Sequence, residues 1–242
     1  MRALIFTHHH DEGPGLLEKL LKMRGWEIEE AELWQNREMP DPAPFHLLIL
    51  MGGPMNVHDE KLYPFLGPEK DFVYQWLKRG RATFGICLGA QLLADILGGR
   101  VYRGPTEEIG WYDAVLTEEG HRDRYLRSFP ERFPVFQWHS ETFDPPQGAV
   151  LLVTSEDYPH QAFRFGELVY AFQFHLEVTP QMVVKWLRAN RLEDSTASDI
   201  TPRLRRRLQP INELCRDFMF PFLESMEFMW DERSWKRSIR FF

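Results

Sequence analysis

Arg81-Ala82-Thr83-Phe84-Gly85-Ile86-Cys87-Leu88-Gly89-Ala90-Gln91-Leu92-Leu93-Ala94-Asp95-Ile96-Leu97-Gly98-Gly99 changes character halfway along its length. Its first residues form a short apolar run that reads as a buried strand. Beyond it, Leu92, Leu93, Ile96 and Leu97 recur at helical spacing until Gly98-Gly99 ends the helix. Between the two lies Gly85-Ile86-Cys87-Leu88-Gly89, the G-x-S-x-G nucleophile-elbow pattern with sulfur in place of the hydroxyl. A sharp strand-to-helix turn crowds the backbone on both sides of its apex, so residues without side chains are needed two positions before and after it. At a helix N-terminus, unpaired N–H groups and the helix dipole favour a thiolate, the reactive form of cysteine. With 16 glycines and two cysteines in 242 residues, the pattern arises by chance only about 0.009 times. Cys87 is therefore the candidate nucleophile, against the alternative of an inert buried thiol.

Composition narrows the class. The chain is 43% hydrophobic and 27% charged with a net charge of −7, ordinary for a globular protein and contrary to a nucleic-acid binder. No apolar run reaches transmembrane length and the N-terminus lacks a signal-peptide core, so no membrane association is expected. Two cysteines, Cys87 and Cys215, make no disulfide framework and point to a reducing cytoplasm. Cys215 falls on an apolar helical stripe and reads as core.

Upstream of the elbow, strands and helices alternate. Arg2 to Thr7 reads as a buried strand, followed by His8-His9-His10-Asp11-Glu12-Gly13-Pro14-Gly15 and a helix carrying Leu16, Leu17, Leu20 and Leu21. Glu27 to Trp34 reads as a second strand. His46 to Met51 is a third, ending in Gly52-Gly53-Pro54-Met55-Asn56, where a glycine pair lets backbone N–H groups approach a substrate. Leu66 to Gly80 reads as a helix with Phe72, Val73, Trp76 and Leu77 inward. Such alternation predicts a parallel sheet with helices on both faces. Three histidines beside two carboxylates invite a metal, but neighbours on a strand or helix do not face one centre, so neither a metal nor a cofactor is expected.

Downstream, Arg100 to Thr117, Phe133 to His139, Ala149 to Thr154, Gln161 to Phe165 and Leu168 to Phe174 are short strand-like runs, read as a smaller antiparallel or mixed sheet at the end of the parallel one. His175 ends the last run, and Glu177 two residues on can orient its imidazole, which makes His175 the candidate base. Thr179-Pro180 opens a helix to about Asn190. Residues 1–190 form one domain in this reading. Residues 191–242 form an extension: a polar linker at 193–199, helices carrying Leu204, Leu208, Ile211, Leu214, Cys215 and Phe218, and an aromatic–basic end. That extension reads as an amphipathic arm that packs on its own domain or mediates a homo-oligomer.

Gly85-Ile86-Cys87-Leu88-Gly89-Ala90-Gln91, Met51-Gly52-Gly53-Pro54 and Phe174-His175-Leu176-Glu177 together resemble the class I (triad) glutamine amidotransferases. The resemblance spans residues 1 to 190. The loop His9 to Gly15, Met55-Asn56 and Trp138-His139-Ser140-Glu141-Thr142-Phe143 look most like the stand-alone, GMP-synthase-like branch. Leu176 departs from the proline that many members carry between histidine and glutamate. The resemblance implies a flavodoxin-like α/β fold and a Cys87/His175/Glu177 triad that forms a γ-glutamyl thioester and releases ammonia. It implies an oxyanion site of the Gly53 and Leu88 N–H groups, and substrate contacts from Gly52, Gln91, His139 and Ser140. The small-molecule substrate is then glutamine or a γ-glutamyl compound. The chain has no pyrophosphatase-type S-G-G-x-D loop, so an ammonia-accepting synthetase is expected on another chain. A γ-glutamyl peptide or γ-glutamyl amine hydrolase uses the same triad, and a catalytically silent binding domain retains the same fold.

Overall fold

The computed structural model describes residues 1–35, 38–190, 197 and 200–230. The polar linker at 193–199, residue 197 apart, and the aromatic–basic end after residue 230 lie outside the described residues.

Four apolar runs become parallel strands because residues buried on both faces of a sheet need no polar alternation. They are β1 (Arg2–Thr7), β3 (Leu47–Leu50), β4 (Ala82–Ile86) and β9 (Val169–Phe172). The edge strand β2 (Glu27–Glu32) pairs with β1 and exposes three of its glutamates, Glu27, Glu29 and Glu30, which blunts a sheet edge against further pairing. Strands β5 (Arg100–Leu116), β6 (Arg132–Asp144), β7 (Val150–Thr154) and β8 (Ala162–Phe165) run antiparallel. They extend the parallel sheet through β8–β9 pairing instead of standing apart, giving one nine-stranded sheet in the order β2-β1-β3-β4-β9-β8-β7-β5-β6. The parallel portion has the flavodoxin-like arrangement, with its switch point between β1 and β3, where open α/β sheets bind ligands at the strands' carboxyl ends.

Helices cover both faces. One core contains Ala3, Ile5, Ile49 and Phe84 with α1 (Leu16–Met23), α5 (Pro180–Ala189) and α6 (Leu204–Trp230). The other contains Leu4, Phe6, Leu48 and Leu50 with α2 (Leu66–Lys78) and α3 (Leu88–Ile96). A short α4 (Glu118–Arg122) is capped by the Thr117 hydroxyl, which accepts from Gly120 N–H. In α2 the buried positions are Leu66, Glu69, Val73 and Trp76, with Phe72 and Leu77 only partly covered. Glu69 thus occupies a place on the apolar stripe.

The amphipathic arm packs on its own domain. Phe218 of α6 lies 5.0 Å from Phe84 and 4.8 Å from Phe172, ring centre to ring centre. Asn212 donates through Nδ2 to the carbonyls of Leu176 and Val178, both at 3.0 Å. The helix therefore holds the backbone on either side of Glu177. Asn212→Ala is expected to destabilise the protein by about 1–3 kcal/mol, as leaving two carbonyls under-satisfied does, measured as a lower urea midpoint. An unchanged midpoint contradicts that role.

Candidate active site

The elbow forms as the glycine spacing requires. Cys87 is the one non-glycine residue among those described with positive φ, at 52° with ψ −109°, and it caps α3. Such a backbone costs about 1–3 kcal/mol and persists where surrounding structure enforces it. Here β4 and α3 enforce it: a Cβ on Gly85 would strike the Gly89 carbonyl carbon at 2.7 Å, and one on Gly89 would collide with the Leu50 carbonyl. Cys87 N–H donates to Phe172 O at 2.8 Å, and Gly89 N–H to Met51 O at 3.1 Å. The turn is thereby tied to β9 and to the glycine loop after β3.

His175 follows β9 and bridges to β6, its N–H donating to Phe136 O at 2.8 Å. Its Nδ1 lies 2.7 Å from Glu177 Oε1, both side chains buried, which orients the other ring nitrogen towards the thiol. The imidazole and the Cys87 thiol line the same cavity. Burial alone would lower the His175 pKa; the Glu177 carboxylate and the Cys87 contact override it and raise the pKa well above the usual histidine value. The thiol also approaches Trp138 O at 3.7 Å. The sequence-predicted Cys87, His175 and Glu177 therefore converge.

Above them opens a cavity of about 500 Å³ lined by Glu12, Gly53, Asn56, Cys87, Gln91, Ser140 and Trp186 among others, a size within the roughly 300–1,000 Å³ of small-molecule sites. Gly53 lines the cavity and its N–H has no acceptor among the described residues; Leu88 follows Cys87 as the first residue of α3, where a backbone N–H has no intrahelical partner. Gln91 Nε2 donates to Glu141 O and Gln173 Oε1. Both its N–H bonds are committed and its Oε1 is left to accept. His139 lines the cavity, but its ring nitrogens lie 2.9 Å from Glu141 O and 2.8 Å from Glu108 Oε2. Its ring has no nitrogen left for a ligand. Gly52 turns away from the cavity and gives its carbonyl to His8 Nδ1 at 3.0 Å.

Sequence reasoning missed the surroundings of the triad. Glu12 stands beside Gly52, where any Cβ would collide with Glu12 Oε2 and reach His175 Cε1 at 3.4 Å. Burial pushes the Glu12 carboxyl up, opposed by His175 and His8 and reinforced by Glu177 and Asp11, to about 7. Folded Glu12 holds its proton up to that pH, whereas an unfolded glutamate releases it near 4.5. The folded state binds more protons in this window, so its stability from this group falls as pH rises from 4.5 to 7. Glu12→Gln is expected to raise Tm by about 2–6 °C at pH 8 and by less at pH 5. An equal shift at both pH values would contradict this. His9, His10 and Asp11 sit in a turn, not on a strand or helix, and bring ligand atoms within 4.8 Å of one another. Adjacent residues can therefore share a centre here, contrary to the sequence-based reasoning.

The family pattern described as glutamine amidotransferase class-I matches residues 17–191. This chain is a class I glutamine amidotransferase. It is 32% identical over 187 residues to the glutamine amidotransferase-like protein YfeJ of Salmonella typhimurium, covering 76% of this chain and 78% of that protein. It is 33% identical over 136 residues to a subunit of the glutamine-hydrolyzing GMP synthase of Sulfurisphaera tokodaii, covering 55% and 68%. A solved glutamine amidotransferase of Thermotoga maritima superposes with a TM-score of 0.82 at 32% identity, over 93% of this chain and 97% of that one. As a member of the family, the amidotransferase belongs with proteins of glutamine amide hydrolysis and ammonia transfer. No helix among the described residues is long and apolar enough to cross a membrane.

Proposed function

We propose that this amidotransferase hydrolyses the side-chain amide of glutamine through a γ-glutamyl thioester on Cys87. The carrying observation is one geometry: a thiol at a strained elbow that shares its cavity with a histidine whose Nδ1 meets Glu177 at 2.7 Å. The Cys87 thiolate attacks the amide carbon; a C–S bond forms and the π electrons move to oxygen, facing the free N–H groups of Gly53 and Leu88. The intermediate collapses with cleavage of C–N, and the nitrogen leaves as ammonia with the proton from His175. Water then gives a proton to His175 and its oxygen to the acyl carbon, which expels the thiolate and releases glutamate. Glu177 keeps the imidazole in the required tautomer. Gln91 Oε1, with both its N–H bonds engaged elsewhere, accepts from the substrate ammonium; Ser140 and the His139 backbone line the same end. A relative in Sulfurisphaera tokodaii is a synthase subunit, which supports an ammonia acceptor on a separate chain.

One observation favours a second reading, hydrolysis of γ-glutamyl amines. Among the described residues the cavity is lined by Glu12, Asp59, Glu107 and Glu141 and by no lysine or arginine, an acidic lining that suits a leaving amine with its own ammonium group. Steady-state kinetics on glutamine, a γ-glutamyl diamine and a γ-glutamyl amino acid separate the readings. Glutamine is expected to give the highest kcat/KM. A diamine conjugate preferred by orders of magnitude assigns the second reading instead, and no turnover of any of the three contradicts both.

A further inference from the structure

Beneath the cavity, on the side away from substrate, His8 and Glu69 form a completely buried pair, Nε2 to Oε1 2.8 Å. Three features set it apart from a stabilising ion pair. Its other carboxylate oxygen, Glu69 Oε2, has no partner. Buried pairs of this kind are often matched or bettered in stability by apolar residues of similar volume. And the second ring nitrogen, Nδ1, meets the Gly52 carbonyl at 3.0 Å, one residue before the free Gly53 N–H.

The protons of this cluster can be placed from its partners alone. Gly52 O only accepts, so His8 Nδ1 must carry hydrogen. A single further proton then lies between Nε2 and Glu69 Oε1, whichever atom holds it. Burial alone would lower the His8 pKa, and Glu69, Gly52 O and Glu12 raise it. In a trans peptide the C=O of Gly52 and the N–H of Gly53 point in opposite directions. Holding the carbonyl down on His8 therefore aims the N–H up into the cavity. The hydrogen bond from His8 Nδ1–H to the carbonyl also polarises the same peptide and strengthens its N–H as a donor. Gly53 has no freedom to move as a unit with a side chain, since a Cβ there would meet Met55, Leu88 and His8 within 2.9 Å.

We propose that the His8–Glu69 pair is a positioning device for the reaction, which through the Gly52 carbonyl aims and polarises the Gly53 amide that stabilises the oxyanion. This rests on the thioester reading above. It assigns a role to the buried glutamate on α2 and to the first histidine of the loop after β1, neither of which touches substrate.

The test compares His8→Leu/Glu69→Met, which removes the donor and leaves no buried charge, with His8→Asn/Glu69→Met, whose asparagine amide restores a donor near the Nδ1 position. The Leu/Met protein is expected to lose about 10–100-fold in kcat on the preferred γ-glutamyl substrate, part of the loss seen on removing an oxyanion donor. Its KM should change less than about 3-fold, as for an interaction made in the transition state. Affinity for glutamate γ-semialdehyde, whose thiohemiacetal with Cys87 carries the oxyanion, should fall in parallel with kcat. Alkylation of Cys87 by iodoacetamide, which forms no oxyanion, should stay unchanged. The Asn/Met protein should recover most of kcat. Retained kcat and aldehyde affinity in the Leu/Met protein overturn the proposal, as does a loss of iodoacetamide reactivity equal to the loss of kcat. If the wild type turns over no γ-glutamyl compound, the thioester reading has failed. The positioning role is then decided by NMR of ¹⁵N-labelled protein: a Gly53 amide proton that moves upfield in Leu/Met and returns in Asn/Met supports it, and one that does not respond overturns it.

Discussion

Cys87→Ser is expected to lower ammonia release from glutamine by at least about 10³-fold, with the fold and melting behaviour unchanged. Serine is nearly isosteric, and the elbow that imposes φ 52° on residue 87 is built by Gly85, Gly89 and the Leu50 carbonyl, not by sulfur. What changes is the attacking atom. The neighbouring His175 and the His175–Glu177 contact serve a sulfur nucleophile, and an alcohol oxygen in its place is a far weaker one. Cys215 is the internal control. It lies in α6, burial pushes its thiol well up, and Glu177 adds to the effect, so it should resist alkylation. Iodoacetamide should therefore label the wild type once, at Cys87, and Cys215→Ser should retain activity. Ammonia release surviving in Cys87→Ser, or lost in Cys215→Ser, would reverse the assignment of the nucleophile. Full iodoacetamide protection by a γ-glutamyl substrate analogue would place that thiol in the substrate cavity.

The second large effect falls on stability. Phe218→Ala should destabilise the protein by about 3–5 kcal/mol, as expected for removing a buried phenylalanine that leaves a cavity. Phe218 is 1% exposed, and its ring meets Phe84, Tyr170, Phe172 and Phe222 at 5.0, 5.3, 4.8 and 5.4 Å. Those neighbours belong to β4 and β9, the strands that lead into Cys87 and His175, as well as to α6 itself. The measurement is a urea titration: the midpoint should fall sharply with an unchanged m-value. A loss under about 1 kcal/mol would mean that α6 is a detachable cover and not part of the core. By the same logic, truncation after residue 190 should abolish cooperative unfolding.

The meeting of Cys87, His175 and Glu177 could be expected from the chain because each is marked by its local neighbours. Cys87 stands between two glycines at elbow spacing, and Glu177 is two residues from the histidine it orients. Strands β1, β3 and β4 were legible because residues buried on both faces leave an unbroken apolar run. Glu69 did leave a signal, a carboxylate in step with Leu66, Val73 and Trp76, though periodicity cannot name a partner 61 residues away. His139 shows the opposite limit: the resemblance implies a substrate contact there, and only the fold shows that Glu108 on the neighbouring strand meets its ring while the residue still lines the cavity. The joining of the antiparallel strands to the parallel sheet was equally hidden, since edge pairing of β8 with β9 leaves no trace in either segment's composition.

Sequence alone determined the elbow, the His175–Glu177 pair, and the parallel sheet that carries them, because these depend on backbone sterics and burial within a few residues. Tertiary structure alone decided which polar groups were spent on each other and which stayed free: the His139 ring and the Gln91 N–H groups tied off, Gln91 Oε1 and the Gly53 amide left open, and His8 locked to Glu69. A buried donor or acceptor must find a partner wherever the fold brings one, and that pairing is a property of three-dimensional proximity rather than of spacing along the chain.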